Sequence, residues 1–338
     1  MNHILRNSKA KLNILLLLGL LLLISIVFSL AVGQNFISLS SVYDAIFNYD
    51  QQSTRHLIIR STRLSRTVIS LAAGGSLAVA GALMQALTGN PLAAPGIFGL
   101  NSGAVFLLVV ASAFFGVSSM GVSIWLAFSG SMIAGVLVYF IASIGRKGLS
   151  SLKMILAGAA VTALFHSFTQ GLLVINQESL ESVLFWLSGS TAGRDLEMIL
   201  PLIPFILAAV ILALILAKDI NILLIGEEMA AGLGQKTLVI KLLLGLSIVI
   251  LAGSSVAAAG AISFIGLIVP HIGRFFVGNS YHWLIIYSFL LGAVLLLIAD
   301  IIARVIIMPQ EVPIGVMTAF MGAPFFVYIV RRGFNINA

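Results

Sequence analysis

Long runs without a charged residue dominate the chain and predict helices that cross a membrane. No Asp, Glu, Lys or Arg occurs from position 67 to position 145, a stretch of 79 residues. A transmembrane helix needs roughly 20 apolar residues, so this stretch has room for about three of them. Further charge-free runs lie at 154–177, 198–217, 242–273, 275–299 and 312–330. The pattern predicts an all-α, polytopic membrane protein.

Polar breaks between these runs divide the chain into about ten transmembrane helices. The stretch 258–269 is shorter than the others and is expected to end at Pro270-His271 as a half-helix. We expect residues 1–338 to form one transmembrane domain, with an outer basic segment at 34–66 and a cytoplasmic loop at 218–237. The predicted spans are 12–33, 66–87, 97–115, 122–145, 154–175, 198–217, 238–254, 258–269, 284–304 and 312–330.

Composition supports this fold class. Hydrophobic residues make up 60% of the chain and charged residues 9%, with a mean hydropathy of +1.15. A soluble domain carries about 25% charged residues. The net charge of +7 therefore reflects membrane orientation and does not indicate nucleic-acid binding. The chain has no Cys, which excludes disulfides and cysteine metal sites. The first apolar run is too long for a signal-peptide core and is interpreted as a retained span.

The distribution of Lys and Arg predicts the orientation. With the N-terminus in the cytoplasm, 12 of the 18 basic residues fall inside, and an even number of spans returns the C-terminus to the cytoplasm. Four arginines contradict this bias because Arg55, Arg60, Arg63 and Arg66 cluster on the outer side. Contact with lipid phosphates and a socket for an acidic partner both explain the cluster, and the residues alone leave the two open.

Few residues point to chemistry. The chain lacks a phosphate-binding Gly-rich loop and any His spacing typical of a metal site, so no catalytic or metal-ligating residue is predicted. His166 lies within a span, where an ionisable residue is a functional candidate, but a packing role is favoured because no second titratable group is near it in sequence. Asp300 is the only acidic residue within a span, and an i,i+4 ion pair with Arg304 is expected.

The loop at 226–234 has an acidic start and a Gly-containing end, which predicts a short cytoplasmic helix. It is either a plain interfacial helix or a docking helix for a cytoplasmic subunit. The loop resembles the coupling segment of the FecCD family, the permeases of ABC importers for vitamin B12, iron siderophores and haem. Further motifs similar to that family are Arg63-Leu64-Ser65-Arg66, Gly81-Ala82-Leu83-Met84-Gln85, Gly89-Asn90-Pro91-Leu92-Ala93, Phe185-Trp186-Leu187-Ser188-Gly189-Ser190, Gly266-Leu267-Ile268-Val269-Pro270-His271, Ala299-Asp300-Ile301-Ile302-Ala303-Arg304, Glu311-Val312-Pro313-Ile314-Gly315-Val316 and Gly322-Ala323-Pro324-Phe325-Phe326.

The resemblance implies a permease in a bacterial cell membrane that pairs with a second copy or a sister permease. It implies two cytoplasmic ATPase subunits, which would bind ATP and Mg²⁺ so that this chain needs no cofactor, and an outer substrate-binding protein. Binding-protein docking would fall to Arg63, Arg66 and Arg304. Gate or path positions would be Asn90, Leu92, Ser150 and Ser151. The ATPase coupling residues would be Gly226, Glu227, Glu228, Ala230, Gly232, Leu233 and Gly234.

The expected cargo is a ferric siderophore, with the hydroxamate type favoured and haem or vitamin B12 as alternatives. The sequence offers too few oxygen ligands to replace the water shell of a bare ferric ion, so the metal is expected to travel inside a chelator. A secondary transporter or channel is the rival from another class. It is disfavoured because proton-coupled transporters carry intramembrane carboxylates that this chain lacks apart from Asp300.

Overall fold

The computed structural model describes residues 8–117, 119–144, 150–175 and 186–331 of the chain, and every regular element in these ranges is helical. A 3₁₀ turn at Pro95–Phe98 precedes the fourth helix. The helices are α1 (Ser8–Ala31), α2 (Leu39–Phe47), α3 (Thr54–Thr88), α4 (Leu100–Phe115), α5 (Met120–Ser143), α6 (Ser151–Ile175), α7 (Leu196–Ile215), α8 (Ala217–Leu223), α9 (Glu227–Gly232), α10 (Thr237–Ala259), α11 (Ile265–Val277), α12 (Tyr281–Val305) and α13 (Ile314–Arg331).

The number of membrane-embedded helices agrees with the sequence. Seven of the described helices are long and apolar enough to cross a membrane, namely α1, α3, α5, α6, α7, α10 and α12. Three shorter apolar helices, α4, α11 and α13, complete a set of ten. The prediction of an all-α polytopic fold with about ten such helices is confirmed.

The boundaries predicted for the short helix are wrong. Helix α10 continues to Ala259, and α11 begins only at Ile265 and runs through Pro270 to Val277. Proline inside a helix removes the hydrogen bond to the carbonyl four residues earlier, here that of Gly266. This carbonyl lies against Gly81 of α3, so close that a Cβ built on Gly81 would stand 1.8 Å from its oxygen. Pro270 therefore lies inside α11, which packs tightly on α3, and does not end the helix as expected.

Helix α3 is the centre of the bundle, and 89% of its apolar stretch is buried. It packs against α10, α11 and α12. Small residues let the backbones approach closely, since Cβ atoms built on Gly74 and Gly292 would each stand 2.3 Å from the other residue's carbonyl oxygen. Helix α1 is peripheral, with 28% of its apolar stretch buried and large apolar side chains such as Leu16 and Leu23 exposed.

The outer segment 34–66 contains an amphipathic helix. Ser38 caps α2 by accepting a hydrogen bond from the Ser41 backbone N–H. Val42 and Ala45 of α2 are buried, while Tyr43 is exposed. An apolar exposed face on a short helix at the end of the bundle is typical of a membrane interface.

Candidate functional site

A buried ionic network joins four segments at the predicted outer end of the bundle. The carboxylate of Asp300 on α12 is 0% exposed and lies between two guanidinium groups. Nη2 of Arg66 lies 2.9 Å from its Oδ1, and Nε of Arg304 donates to its Oδ2 at 2.9 Å. The Thr191 hydroxyl donates to Oδ1 at 2.7 Å, and Nη1 of Arg66 reaches Oε2 of Glu311 at 2.6 Å. The ion pair predicted between Asp300 and Arg304 is confirmed.

Two arginines at this end, Arg63 and Arg304, also form hydrogen bonds with the end of α1. Nη1 of Arg304 donates to the Ser29 carbonyl at 2.9 Å, and Nη1 of Arg63 donates to the Leu30 and Ala31 carbonyls at 2.8 and 2.7 Å. The last carbonyls of a helix lack partners within the helix and carry partial negative charge, so cations stabilise this end. Arg63 and Arg304 therefore fix α1 to the core.

The three arginines predicted to dock a binding protein are not open at the surface of this chain. Arg63, Arg66 and Arg304 are only 5%, 6% and 2% exposed, and their guanidinium groups bond within the chain. Of the four clustered arginines, Arg55 and Arg60 are exposed. Arg60 stacks on Tyr49 with its Cζ 4.0 Å from the ring centre, and its Nε donates to a carbonyl of α2. Docking by the three buried arginines stays a prediction, and only the Glu311 side of Arg66 is partly open.

Arg194 is a sixth arginine at the predicted outer end, and it was not predicted as a site residue. Arg194 is buried, stacks on Trp186 at 4.2 Å, and donates from Nη1 to the Ala257 carbonyl at 2.7 Å. It thereby holds the end of α10, where the backbone leaves the helix within the bundle. Burial lowers the pKa of Arg194 to about 9, so the side chain remains charged at neutral pH. Its position directly before α7 gave no local signal of this contact.

The predicted coupling loop forms helix α9 at the predicted cytoplasmic end of the bundle. Gly226 precedes it with a φ of 125° and Gly234 follows it with a φ of 84°, conformations that glycine adopts without steric cost. Ala230 is buried and faces the bundle. Glu227 forms an ion pair with Lys241 of α10, and Nε2 of Gln235 donates to the Asp219 carbonyl at 2.9 Å. The predicted short helix is confirmed, and it is attached to the helices on both sides.

The solvent-exposed surface at α9 includes large apolar side chains. Met229 on α9 is 59% exposed, and Ile225 and Leu233, which flank α9, are 56% and 70% exposed. Glu228, Gly232 and Gly234 are also exposed. Exposed large apolar side chains among charged residues are typical of a surface that contacts a protein or the membrane.

The predicted gate positions lie in two turns on the same predicted side. Oδ1 of Asn90 accepts a hydrogen bond from the Leu92 backbone N–H at 2.9 Å, and both residues are half-buried. Oγ of Ser150 accepts a hydrogen bond from the Lys153 backbone N–H at 3.3 Å. Ser151 is the first residue of α6, and its side chain is not among the side chains that the structure describes. These contacts stabilise the turns and do not test a gating role.

A second network at this end links α3, α8, α11 and α12, and the sequence did not predict it. Arg274 donates to Gln85 and, from Nη2, to the Tyr281 hydroxyl at 3.0 Å. That hydroxyl donates to the Ala82 carbonyl at 3.3 Å, while the Tyr281 backbone N–H donates to Oδ1 of Asn221 at 3.2 Å. These hydrogen bonds connect the central helix α3 with α8, α11 and α12.

The packing expected for His166 is not observed within the described part of this chain. His166 is exposed on α6, together with Ser167 and Gln170. None of the three makes a hydrogen bond or ion pair with another residue in the described part of the chain.

Comparison with known proteins identifies the family. The model of the FecCD transport family matches residues 21–332. The chain belongs to the FecCD transport family. It is 48% identical to the "Probable siderophore transport system permease protein YfiZ" of Bacillus subtilis, over 97% of this chain and 98% of the relative. It is 42% identical to the Fe(3+)-citrate import system permease protein YfmD of the same organism, over 98% of both chains.

A solved structure of a metal-chelate type ABC transporter in an inward-facing conformation superposes with a TM-score of 0.82 and 31% identity, covering 95% of this chain and 99% of that one. This FecCD chain is therefore an ABC-type permease with a multi-pass membrane fold. The family assignment also decides against the secondary transporter or channel considered from the sequence.

Proposed function

We propose that this FecCD permease carries ferric siderophores into a bacterial cell as one membrane subunit of an ATP-driven importer. The observation that carries the proposal is full-length similarity to permeases named for siderophore and Fe(3+)-citrate import. The hydroxamate class is the favoured cargo. No three His, Asp or Glu side chains converge as a metal site within the described ranges. A bare ferric ion would need such ligands, so the cargo is proposed to enter as an intact chelate.

The exposed apolar residues Ile225, Met229 and Leu233 at α9 are proposed to bind a separate ATPase subunit. One ATPase subunit would bind to each of two paired permeases. ATP and Mg²⁺ would bind only to those subunits, and this chain is proposed to need no cofactor. The ion pair between Glu227 and Lys241 ties α9 to α10, so movement of the ATPase would tilt α10 and the helices packed on it. Transport then results from different cargo affinities of two bundle states.

The outer end is proposed to receive a substrate-binding protein. The Glu311 side chain is 27% exposed, whereas the Arg66 side chain that it contacts is 8% exposed. An acidic side chain of the binding protein can therefore reach Arg66 only by replacing Glu311. Exchange of one carboxylate for another keeps the arginine paired, which avoids leaving a buried charge without a partner.

Both termini are proposed to lie in the cytoplasm, with the turns at Asn90, Leu92, Ser150 and Ser151 near the inner gate. Deletion of the permease gene should abolish growth on one or a few ferric siderophores as sole iron source and leave growth on other iron sources intact. Loss of haem or cobalamin use alone would contradict the siderophore cargo. Uptake that persists after inactivation of the ATPase would contradict the ATP-driven mechanism itself.

A further inference from the structure

An apolar groove lies between α5 and α10, apart from the networks described above. It is lined by Val136 and Tyr139 of α5 and by Leu242 and Leu246 of α10, and Met154 of α6 forms part of its wall. Its volume is about 170 Å³, and among the described residues that line it only Tyr139 carries a polar side-chain group. An apolar cavity of about 150 Å³ stays dry and can bind an apolar molecule. The α5–α10 groove is therefore suited to hydrocarbon.

Two glycines shape the α5–α10 groove. A Cβ built on Gly135 would stand 2.4 Å from Cγ2 of Val249, so α5 and α10 meet closely at this point. Gly245 lies about one turn nearer the start of α10, and although this residue is buried, a Cβ there would meet nothing within 4 Å. Val136 and Leu246 at the rim are 62% and 43% exposed. The helices therefore separate beyond the Gly135 contact and leave a space that is open to the surroundings of the bundle.

The depth of the α5–α10 groove matches one leaflet of a membrane. Tyr139 lies four residues before the end of α5, and Leu242 lies five residues after the start of α10, which is about 6 and about 7.5 Å along the helices. Met132 and Val249 line its other end, about 17 and about 18 Å from the same helix ends. Half of the hydrocarbon core of a membrane is about 15 Å thick. The groove therefore runs along the direction of an acyl chain, from near the headgroups to about the membrane centre.

Polar groups at the predicted cytoplasmic end of the groove fit an anionic headgroup. The Tyr139 hydroxyl has no hydrogen-bond partner within the described part of the chain, and tyrosine favours the membrane interface. Lys153, directly before Met154, donates from Nζ to the Ile144 carbonyl at 3.1 Å, which places a cation at the end of α5. Cations at the cytoplasmic surface of a membrane attract its anionic lipids. Charge and apolar lining thus indicate the same class of ligand.

We propose that the α5–α10 groove binds one acyl chain of an anionic phospholipid from the predicted cytoplasmic leaflet. The chain passes along Gly245, and the Tyr139 hydroxyl donates a hydrogen bond to an ester oxygen of the lipid. The phosphate lies near the ammonium group of Lys153. This inference depends neither on the cargo nor on an ATPase, and it takes only the side of the membrane from the proposed orientation.

Lipid photolabelling of the wild type tests occupancy. The full-length permease in nanodiscs receives phosphatidylglycerol that carries a diazirine in one acyl chain, and mass spectrometry locates the adducts. We expect adducts on 132–139 and 242–249 at least fivefold more often than around Leu16 and Leu20, which are 66% and 57% exposed on α1. Adducts no more frequent than on α1 would overturn the proposed site, and this readout needs no variant.

Gly245→Leu tests where the acyl chain lies. The new side chain enters open space and should fill the groove, so adducts on α5 and α10 should fall at least fivefold. Gly19→Leu on α1 is the matched control, because a Cβ there also meets nothing within 4 Å, and it should leave these adducts unchanged. Unchanged adducts in a Gly245→Leu variant with the circular dichroism of the wild type would contradict binding in the groove.

Lipid competition tests the headgroup. Excess unlabelled phosphatidylglycerol should remove the adducts at least threefold more effectively than phosphatidylcholine. Lys153→Gln should abolish this preference, whereas Lys218→Gln, at an exposed lysine of α8, should keep it. Equal competition by both lipids in the wild type would overturn the anionic headgroup.

A second copy of the chain is the alternative occupant of the groove. The natural chain has no Cys, so Val136→Cys and Leu246→Cys each introduce a single thiol at the rim. We expect no oxidative crosslink between two permeases at either position. Efficient crosslinking at both positions would make the groove an interface between copies and would overturn the lipid site.

Discussion

Replacing Asp300 by Asn tests whether the outer network is a structural lock. The substitution preserves the shape of the side chain and removes the one negative charge that lies between Arg66 and Arg304. Asp300 is completely buried, and both guanidinium groups lie within hydrogen-bond distance of it. Removing one partner of a buried ion pair costs about 3–5 kcal/mol, because the other charge remains buried without compensation. We expect a loss of at least about 3 kcal/mol in the free energy of unfolding.

Two further variants give a graded comparison. Thr191→Val removes one neutral donor from the Asp300 carboxylate and should cost about 1.5–3 kcal/mol, as for other hydrogen bonds to charged groups. Glu311→Gln removes a partly exposed partner of Arg66 and should cost about 1 kcal/mol or less. The free energies are measured by unfolding the detergent-solubilised chain with increasing SDS, monitored by circular dichroism.

A charge-balanced double variant distinguishes charge imbalance from general damage. Asp300→Asn combined with Arg66→Gln removes one charge of each sign from the network and should recover part of the stability lost in Asp300→Asn. An Asp300→Asn variant within about 1 kcal/mol of the wild type would refute the reasoning. A double variant no more stable than the single one would show that the buried charges are not the cause of the loss.

Two other predictions concern packing and coupling. Gly81→Ala should lower the free energy of unfolding by about 1–3 kcal/mol through overpacking, because its new Cβ would stand 1.8 Å from a carbonyl oxygen of α11. Gly19→Ala is the control, because a Cβ there has nothing within 4 Å. It should change the free energy of unfolding by less than about 1 kcal/mol in the same assay. Lys241→Met removes the ion pair to α9 and should lower the ratio of transport to ATP hydrolysis at least threefold in the reconstituted complex. Lys236→Met, at an exposed position, is the control and should leave this ratio unchanged. Equal ratios for the wild type and Lys241→Met would contradict coupling through that ion pair.

Properties that depend on residues close in the chain could be predicted from the sequence alone. Runs of apolar residues identified ten membrane-embedded helices, because the cost of burying charge in lipid is set by each segment's own composition. The acidic start and the Gly-containing end of 226–234 predicted the short helix α9, because residue preferences at helix ends are local. The pair Asp300 and Arg304 followed from helical spacing, which brings residues four apart onto one face.

Contacts between distant segments were decided only by the tertiary structure. Arg66 and Asp300 are 234 positions apart, and their ion pair depends on how α3 and α12 are rotated against each other. The same is true of Gly81, whose close contact with Gly266 depends on how α3 and α11 pack together. His166 was expected to be packed, yet the arrangement of helices around α6 leaves it exposed. Hydropathy determines that a segment is in the membrane, but the rotation of each helix is set by packing with its neighbours, which decides whether a polar side chain meets protein, lipid or water.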